Sequence, residues 1–307
     1  MKSAFNSAID KLLYQFIRQR YYNSCIELFD ELYKYNYAMV KGEPLSMLAF
    51  NCLNERSSFD IDILISKKHI NNIEKMLLEH DFHSNQNSHG DRVMMLIGSH
   101  QVASWHKNSL LCGQVIIDLN FDILWGEYEG KRIDIEEFLS DIIEMEIYGV
   151  KVKTLPPLKA MIQLVLHHYK DMNSLFLLAT RRSIRYNMFR DVYCLLKNNL
   201  DAIPLNKLYA LSSEYEIIPY VFYVLYYTGQ VFDDDVLKQY IEAFRTPDGD
   251  ALLNCYGLCE KERREWKCDF KTRLDSNNLY ELIEEDLTER DKEKIAINKR
   301  IFLRINK

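Results

Sequence analysis

Glycine and proline are scarce in this chain, and their scarcity limits the folds that it can adopt. The 307 residues include 10 Gly and 6 Pro, whereas average usage would give about 20 glycines and about 15 prolines. So few turn-forming residues predict long regular elements, most of them helical, with short connections. Seven of the glycines precede residue 150, which indicates that the two halves of the chain are built differently.

Motifs and charge exclude several classes of protein. The chain contains no G-x-G and no G-K-S/T, so it lacks the Rossmann dinucleotide fingerprint and the P-loop. Its net charge of -6 argues against a dedicated nucleic-acid binder. The longest apolar run, 217–227, is shorter than the roughly 20 residues of a membrane span, and the charged first residues are not typical of a signal peptide. Seven cysteines, an odd number, predict reduced thiols and a cytoplasmic location.

The spacing of apolar residues divides the chain into three parts. Residues 1–36 have helical spacing and are predicted to form helices that pack on the next part. Residues 37–155 are predicted to form an α/β (α+β) domain with a mixed sheet and flanking helices, and residues 156–307 an all-helical domain. Within 37–155, strands are predicted at 37–41, 59–66, 92–105, 115–123 and 146–154, and helices at 45–52, 67–80 and 135–143.

Two aspartates on one predicted strand give the strongest indication of chemistry. Because strand side chains alternate, Asp60 and Asp62 project from one face while Ile61 and Ile63 face the opposite layer. Two carboxylates on one face of an apolar strand repel each other and are costly to desolvate. A bound divalent cation removes both penalties, and carboxylate oxygens suit Mg²⁺. An edge strand with a solvated face is the alternative.

A second strand-like segment, 115–122, supplies a third carboxylate. Asp118, Asn120 and Asp122 share one face of this segment. Asp118 lies where the apolar run ends and is predicted to join Asp60 and Asp62, whereas Asp122 is assigned to the following loop.

Gly42 is the candidate for binding phosphate. It lies between a predicted strand and a predicted helix, where the missing Cβ lets the backbone approach an anion. Lys41 before it and Arg56 after the helix would add positive charge. A tight turn with two ordinary surface cations is the alternative.

Together these residues resemble a known family. The succession of Lys41-Gly42, Arg56, the Asp60-Ile-Asp62 motif and the later Asp118 is similar to the bacterial "uncharacterised nucleotidyltransferase" family of the polymerase-β-like nucleotidyltransferase superfamily. The resemblance implies a nucleotidyltransferase-fold mixed sheet and the transfer of a nucleoside monophosphate (NMP) from an NTP such as ATP to a hydroxyl-bearing acceptor, with release of pyrophosphate.

The resemblance also implies roles for single residues. Asp60 and Asp62 would hold two Mg²⁺ ions, and Asp118 would join the metal that activates the acceptor hydroxyl and help to take its proton. Lys41, Gly42 and Arg56 would bind the nucleotide through its phosphates. The acceptor stays open among a small molecule, a peptide or protein, and RNA, and the oligomeric state stays open as well.

Two positions depart from the family pattern. Glu43 follows the glycine where many members of the superfamily have Ser, with Ser46 one helical turn later as a substitute hydroxyl, and Asn120 stands where the family often has His. These departures support an alternative function, a non-catalytic nucleotide-sensing or protein-interaction module that retains the fold. A tRNA-modifying nucleotidyltransferase toxin is a further alternative.

Three other groups of residues are weighed against ordinary structural roles. Adjacent residues on a helix point about 100° apart, so His167 and His168 are predicted not to face one metal; a core or boundary position is expected, with a nucleotide or acceptor contact as the alternative. The cysteines at 255, 259 and 268 lack a fourth ligand and are not predicted to bind zinc. The basic cluster at 181–185 is assigned either to the substrate or to a solvated face.

Overall fold

A seven-stranded mixed sheet organises the first of two units into which the chain divides. The computed structural model describes residues 8–84, 89–110, 112–126, 128–180 and 183–305. The first unit holds the described residues of Met1–Ile123, Ile133–Ala160 and Ile305–Lys307, and the second holds those of Leu124–Arg132 and Met161–Arg304.

The sheet has the spatial order β3-β4-β5-β2-β1-β7-β6. Its strands are β1 (Tyr37–Val40), β2 (Ile61–Ile65), β3 (His83–Ser84), β4 (Trp105–Ser109), β5 (Gly113–Asn120), β6 (Ile143–Ile147) and β7 (Val150–Thr154). Two pairs of neighbours, β2 with β5 and β1 with β7, are parallel. The other neighbours are antiparallel.

Helices cover one face of this sheet and bury its apolar side chains. The helices of the first unit are α1 (Ala8–Asn23), α2 (Ile26–Leu32), α3 (Gly42–Phe50), α4 (Ile70–Glu79), α5 (His89–Gly98) and α6 (Ile135–Phe138). Ile61, Ile63 and Ile65 of β2 belong to one hydrophobic core with Phe29 of α2 and Ile73 of α4. Because side chains alternate along a strand, the residues between these isoleucines point to the opposite face.

Three predictions within this unit are wrong. The segment 92–105 is not a strand, because α5 continues to Gly98 and β4 begins only at Trp105; a short uninterrupted apolar run fits both helix and strand. The segment 146–154 is not one strand but part of the hairpin β6–β7, and the helix predicted over 135–143 ends at Phe138. The hairpin turns at Tyr148 and Gly149, both at positive φ, as a two-residue turn requires.

The second unit is helical apart from one short hairpin. Its core is formed around α11, whose buried side chains include Phe222 and Tyr223. The hairpin pairs β8 (Cys255–Tyr256) with β9 (Arg264–Glu265). The helices are α7 (Pro157–Asn173, from Met161 in this unit), α8 (Leu175–Ala179), α9 (Tyr186–Lys197), α10 (Leu205–Glu214), α11 (Ile218–Val231), α12 (Asp235–Phe244), α13 (Pro247–Leu252), α14 (Phe270–Asp275), α15 (Tyr280–Ile283) and α16 (Glu289–Ile305).

The predicted fold class is confirmed. A mixed sheet with flanking helices is followed by a helical region, as the nucleotidyltransferase-fold expectation requires. In the described part of the chain, no helix has both the length and the apolar character that crossing a bilayer demands. All seven cysteines are free thiols.

Candidate active site

Asp62 and Asp118 occupy matching positions on the neighbouring parallel strands β2 and β5, where their Cα atoms are direct partners. Asp60 lies in the bend just before β2, because the strand begins at Ile61 rather than at Phe59. The charges of Asp62 and Asp60 both raise the pKa of Asp118. The sheet therefore places Asp62 beside Asp118, with Asp60 two residues before Asp62 in the bend.

Asp118 has a carboxyl group whose pKa is strongly raised. Burial, then the charge of Asp62 and, more weakly, that of Asp60 raise the pKa of Asp118 to about 7, against opposing contributions from a Ser104 hydrogen bond and the Lys41 charge. Its Oδ1 atom is buried and has no hydrogen-bond partner among the described residues. An ionised carboxylate is costly to keep in such a place, so this oxygen is suited to a cation.

Two side chains bind one oxygen of Asp62. The ammonium group of Lys41 donates to Asp62 Oδ1 at 2.9 Å, and the amide of Asn120 donates to the same oxygen at 3.2 Å. Asn120 is nearly fully buried. The asparagine that departs from the family pattern is therefore a polar partner of the Asp62 carboxylate.

The turn between β1 and α3 has an unusual backbone. Lys41 has φ 63° and ψ -154°, a conformation that costs a non-glycine residue roughly 1–3 kcal/mol. Gly42 follows at φ +49°, and a Cβ added there would meet Ser58 at an ordinary 3.5 Å, so backbone conformation rather than space favours glycine. Leu45 N–H donates to Lys41 O and Pro44 has no N–H, which leaves the amides of Gly42 and Glu43 at the helix start for an anion.

Glu43 faces away from this anion position. Its side chain is fully buried and pairs with the Arg18 guanidinium, with Nη2 to Oε2 at 2.9 Å. The hydroxyls of Tyr22 and Tyr14 donate to its two oxygens at 2.9 and 3.2 Å. Burial and the Glu43 charge raise the pKa of Tyr22, so that hydroxyl keeps its proton. The negative charge of Glu43 is thus neutralised inside the protein.

Side chains of helix α1 also form hydrogen bonds with the backbone that precedes β2 and with the backbone of β5. Arg18 Nη2 donates to Asp60 O at 3.3 Å, Tyr21 Oη donates to Ile116 O at 2.8 Å, and Ser58 N–H donates to Tyr14 Oη at 2.8 Å. This role was not predicted from the sequence. Tyr14, Arg18 and Tyr21 recur at the spacing of one helix face, and this spacing is the signal that could have identified them.

The remaining candidates have more limited contacts. Arg56 lies half-buried in the loop before β2, with its carbonyl oxygen 3.4 Å from Tyr14 Oη; phosphate binding by its side chain stays a prediction. Ser46 is fully buried and donates to Cys52 O at 2.6 Å, so its hydroxyl is engaged at the end of α3. Of the basic cluster, residues 181 and 182 lie outside the described residues.

The side chains of His167 and His168 converge, against the expectation that adjacent helical residues cannot face one metal, and both lie at the core or boundary positions that were expected. Potential ligand atoms of the two histidines and of Asp171 all lie within 4.8 Å of one another. The imidazole ring centroids are 5.7 Å apart and the rings are tilted by 44°. The side chains are long enough to converge although their Cα–Cβ bonds diverge.

Comparison with known proteins identifies the family. A search of curated proteins finds no match. The model of the family described as "Uncharacterised nucleotidyltransferase" matches residues 16–233, which is more than two thirds of the chain. The match includes the three aspartates, the Lys41-Gly42 turn and, in α1, Arg18 and Tyr21. The resemblance inferred from the motifs is confirmed, and the chain belongs to this family of nucleotidyltransferases.

Proposed function

We propose that this protein transfers an NMP from an NTP, with ATP as the first candidate, to a hydroxyl-bearing acceptor in a reaction that requires Mg²⁺ and releases pyrophosphate. The observation that carries the proposal is the register of Asp62 with Asp118, which groups the carboxylates and leaves Asp118 Oδ1 buried without a hydrogen-bond partner among the described residues.

The donor set fits Mg²⁺. Asp60, Asp62 and Asp118 offer carboxylate oxygens, the ligands that this hard cation takes together with substrate phosphates. When bound, Mg²⁺ would neutralise charge on the phosphates and polarise a phosphoryl oxygen. Burial first, and then the charges of Asp62 and Asp60, raise the pKa of Asp118, and a bound cation would offset both effects.

The other residues would position the nucleotide. The backbone N–H groups of Gly42 and Glu43 would donate hydrogen bonds to phosphate oxygens at the start of α3. On nucleotide binding, the ammonium group of Lys41 would release the Asp62 carboxylate and bind a phosphate instead. The buried Arg18–Glu43 pair would keep the Lys41-Gly42 turn in place.

In the proposed reaction the acceptor oxygen attacks the α-phosphorus of the NTP. The new O–P bond forms as the bond from the α-phosphorus to the bridging oxygen breaks, and pyrophosphate leaves. The hydroxyl proton would pass to the carboxylate of Asp118, which would act as the general base. Positioning and electrostatic stabilisation carry most of such catalysis.

The acceptor is proposed only as a class. A small molecule, a peptide or protein side chain and an RNA end all present hydroxyl groups, and the net charge of -6 weighs against RNA. We further propose a cytoplasmic location, because all seven cysteines are free thiols. The alternative that the tests can reveal is a non-catalytic nucleotide-binding module. Glu43 does not support this alternative, because its side chain faces inward and pairs with Arg18.

Pyrophosphate release tests the proposal. The purified protein is incubated with each NTP, with and without Mg²⁺, and with hydroxylated small molecules, Ser/Thr/Tyr peptides or tRNA. We expect Mg²⁺-dependent release with one acceptor class, lowered at least about 100-fold in Asp60→Asn and Asp62→Asn. Asp122→Asn, which removes a carboxylate just beyond β5, is the matched control and should react like the parent. If Asp60→Asn and Asp62→Asn also react like the parent, the assignment fails.

A further inference from the structure

Three metal-binding side chains lie together on helix α7, and none of them belongs to the candidate active site. One potential ligand atom from each of His167, His168 and Asp171 lies within 4.8 Å of the other two. His167 Nε2 and Asp171 Oδ2 are 3.4 Å apart. The side chains of the two adjacent histidines converge although their Cα–Cβ bonds point in different directions.

Helix geometry explains how the three side chains meet. His167 and Asp171 are four residues apart, so they lie on the same face of α7, one turn above the other. His168 is the neighbour of His167, and its ring is tilted by 44° from the His167 ring with centroids 5.7 Å apart. One nitrogen of each ring therefore lies within 4.8 Å of an oxygen of the Asp171 carboxylate.

Burial makes this grouping informative. The side chains of His167 and Asp171 are 13% and 7% exposed, and His168 is buried as well. Buried charges in proteins are paired or coordinate metals, and a divalent cation bound by these three side chains would pair directly with the Asp171 carboxylate.

The ligand types select the metal class. Two imidazole nitrogens and one carboxylate oxygen suit borderline transition ions such as Zn²⁺, Co²⁺ or Fe²⁺, whereas Mg²⁺ prefers oxygen ligands alone. Three protein ligands leave a coordination position for water or a ligand, as in catalytic rather than structural zinc sites.

We propose that His167, His168 and Asp171 form a binding site for one divalent transition-metal ion, with Zn²⁺ as the probe. The site takes one imidazole nitrogen from each histidine and one carboxylate oxygen from Asp171. Its ligands differ from the aspartates of the proposed function, so either assignment can fail while the other stands.

Metal analysis tests this site directly. The full-length protein is stripped with EDTA, loaded with Zn²⁺ in excess Mg²⁺, desalted and analysed for metal content. We expect one retained Zn²⁺ per chain and a higher melting temperature. In His167→Ala and His168→Ala the affinity should fall at least about 100-fold, since removing even an indirect partner of a metal ligand costs 10–100-fold.

Two controls separate this site from other Zn²⁺ ligands. His80→Ala removes a histidine that also contacts a carboxylate, with Nε2 3.0 Å from Glu31 Oε1, and should leave Zn²⁺ binding unchanged. The spectrum of the Co²⁺-loaded protein should lack a thiolate-to-cobalt band, because no cysteine is a proposed ligand. Asp62→Asn should retain Zn²⁺ as well.

The outcomes are distinct even if one variant fails to fold. If His168→Ala is unfolded, the less deeply buried His167 carries the test through His167→Ala. The proposal is overturned if the parent retains no Zn²⁺, if the His167→Ala protein retains Zn²⁺ with the affinity of the parent, or if the Co²⁺ spectrum shows thiolate ligation.

Discussion

Asp62 and Asp118 are Cα partners on parallel strands, and the charge of Asp62 is, after burial, the largest contribution to the raised pKa of Asp118. A carboxyl whose pKa is higher in the folded than in the unfolded protein binds its proton more tightly when folded. The free energy of unfolding therefore falls as the pH rises from about 4 to about 7, and the loss persists above pH 7.

Asp118→Asn should therefore stabilise the metal-free protein. One pKa unit corresponds to about 1.4 kcal/mol; allowing for partial exposure, we expect the free energy of unfolding at pH 8 to increase by about 1–3 kcal/mol. The gain should shrink towards pH 4. Urea unfolding in EDTA at both pH values measures it, and equal stabilities of variant and parent at pH 8 would contradict the electrostatic description.

Lys41 is expected to affect cation and nucleotide binding in opposite directions. Lys41→Met removes the ammonium group that lies 2.9 Å from Asp62 Oδ1, so the affinity of the nucleotide-free protein for Mn²⁺, a spectroscopic substitute for Mg²⁺, should rise about tenfold. Its affinity for Mg-ATP should fall by about the same factor. Paramagnetic resonance and calorimetry measure the two constants.

Lys68→Met is the matched control for this change of charge, because Lys68 is exposed and pairs with Glu136. Both affinities should stay within twofold of the parent's. A Lys41→Met protein that loses affinity for Mn²⁺ would show that Lys41 does not compete with cations for Asp62.

The Arg18–Glu43 pair is predicted to stabilise the fold around the Gly42 turn. Arg18→Met leaves the fully buried Glu43 carboxylate without its cation and should lower the free energy of unfolding by about 3–5 kcal/mol. The double variant Arg18→Met/Glu43→Gln, which removes both charges, should recover part of this loss. Denaturant titrations give the coupling energy, and strictly additive effects would argue against the pair.

A prediction for the helical unit concerns Asp234, which caps the N-terminus of α12. Its carboxylate accepts hydrogen bonds from Lys197 Nζ at 2.7 Å and from the Val236 and Leu237 amides. The Lys197 hydrogen bond is the largest cause that lowers the pKa of Asp234 to about 2. A lowered carboxyl pKa stabilises the fold above the unfolded value near 4, and this stabilisation is lost as the pH falls towards 2.

Asp234→Ala should accordingly lower the free energy of unfolding at pH 7 by about 1–2 kcal/mol, with a difference that vanishes towards pH 2. Asp233→Ala removes the exposed neighbouring carboxylate, which pairs with Lys238, and should change the stability by less than about 0.5 kcal/mol. A pH-independent difference for Asp234→Ala would refute the ionic contribution.

The aspartates of the site could be predicted from the sequence because their signal is local. Alternation along the strand identifies Asp60 and Asp62, and the end of an apolar run identifies Asp118. The direct pairing of Asp62 with Asp118 depends on the order of strands in the sheet, which local alternation does not encode. The same limit applies to Ser104, whose hydrogen bond to Asp118 comes from a segment without regular structure.

Other features escaped prediction because the physical partners are far apart or the local pattern is ambiguous. Glu43 and Arg18 are 25 residues apart in the sequence. Glu43, which argued against phosphate binding in the sequence, therefore forms an internal ion pair with Arg18 in the fold. Helix α5 was predicted as a strand because its apolar run has neither a clear period of two nor one of 3.6.

Following the α- and γ-phosphates of the NTP separately tests nucleotidyl transfer most directly. The protein is incubated with Mg²⁺, an acceptor mixture of cell-extract small molecules, tRNA and protein, and each NTP labelled at either its α- or its γ-phosphate. We predict that an acceptor gains the α-label and that the γ-label is recovered in pyrophosphate, with transfer lost in Asp62→Asn. An acceptor that gains the γ-label, or an Asp62→Asn protein that transfers the α-label as fast as the parent, would contradict the account.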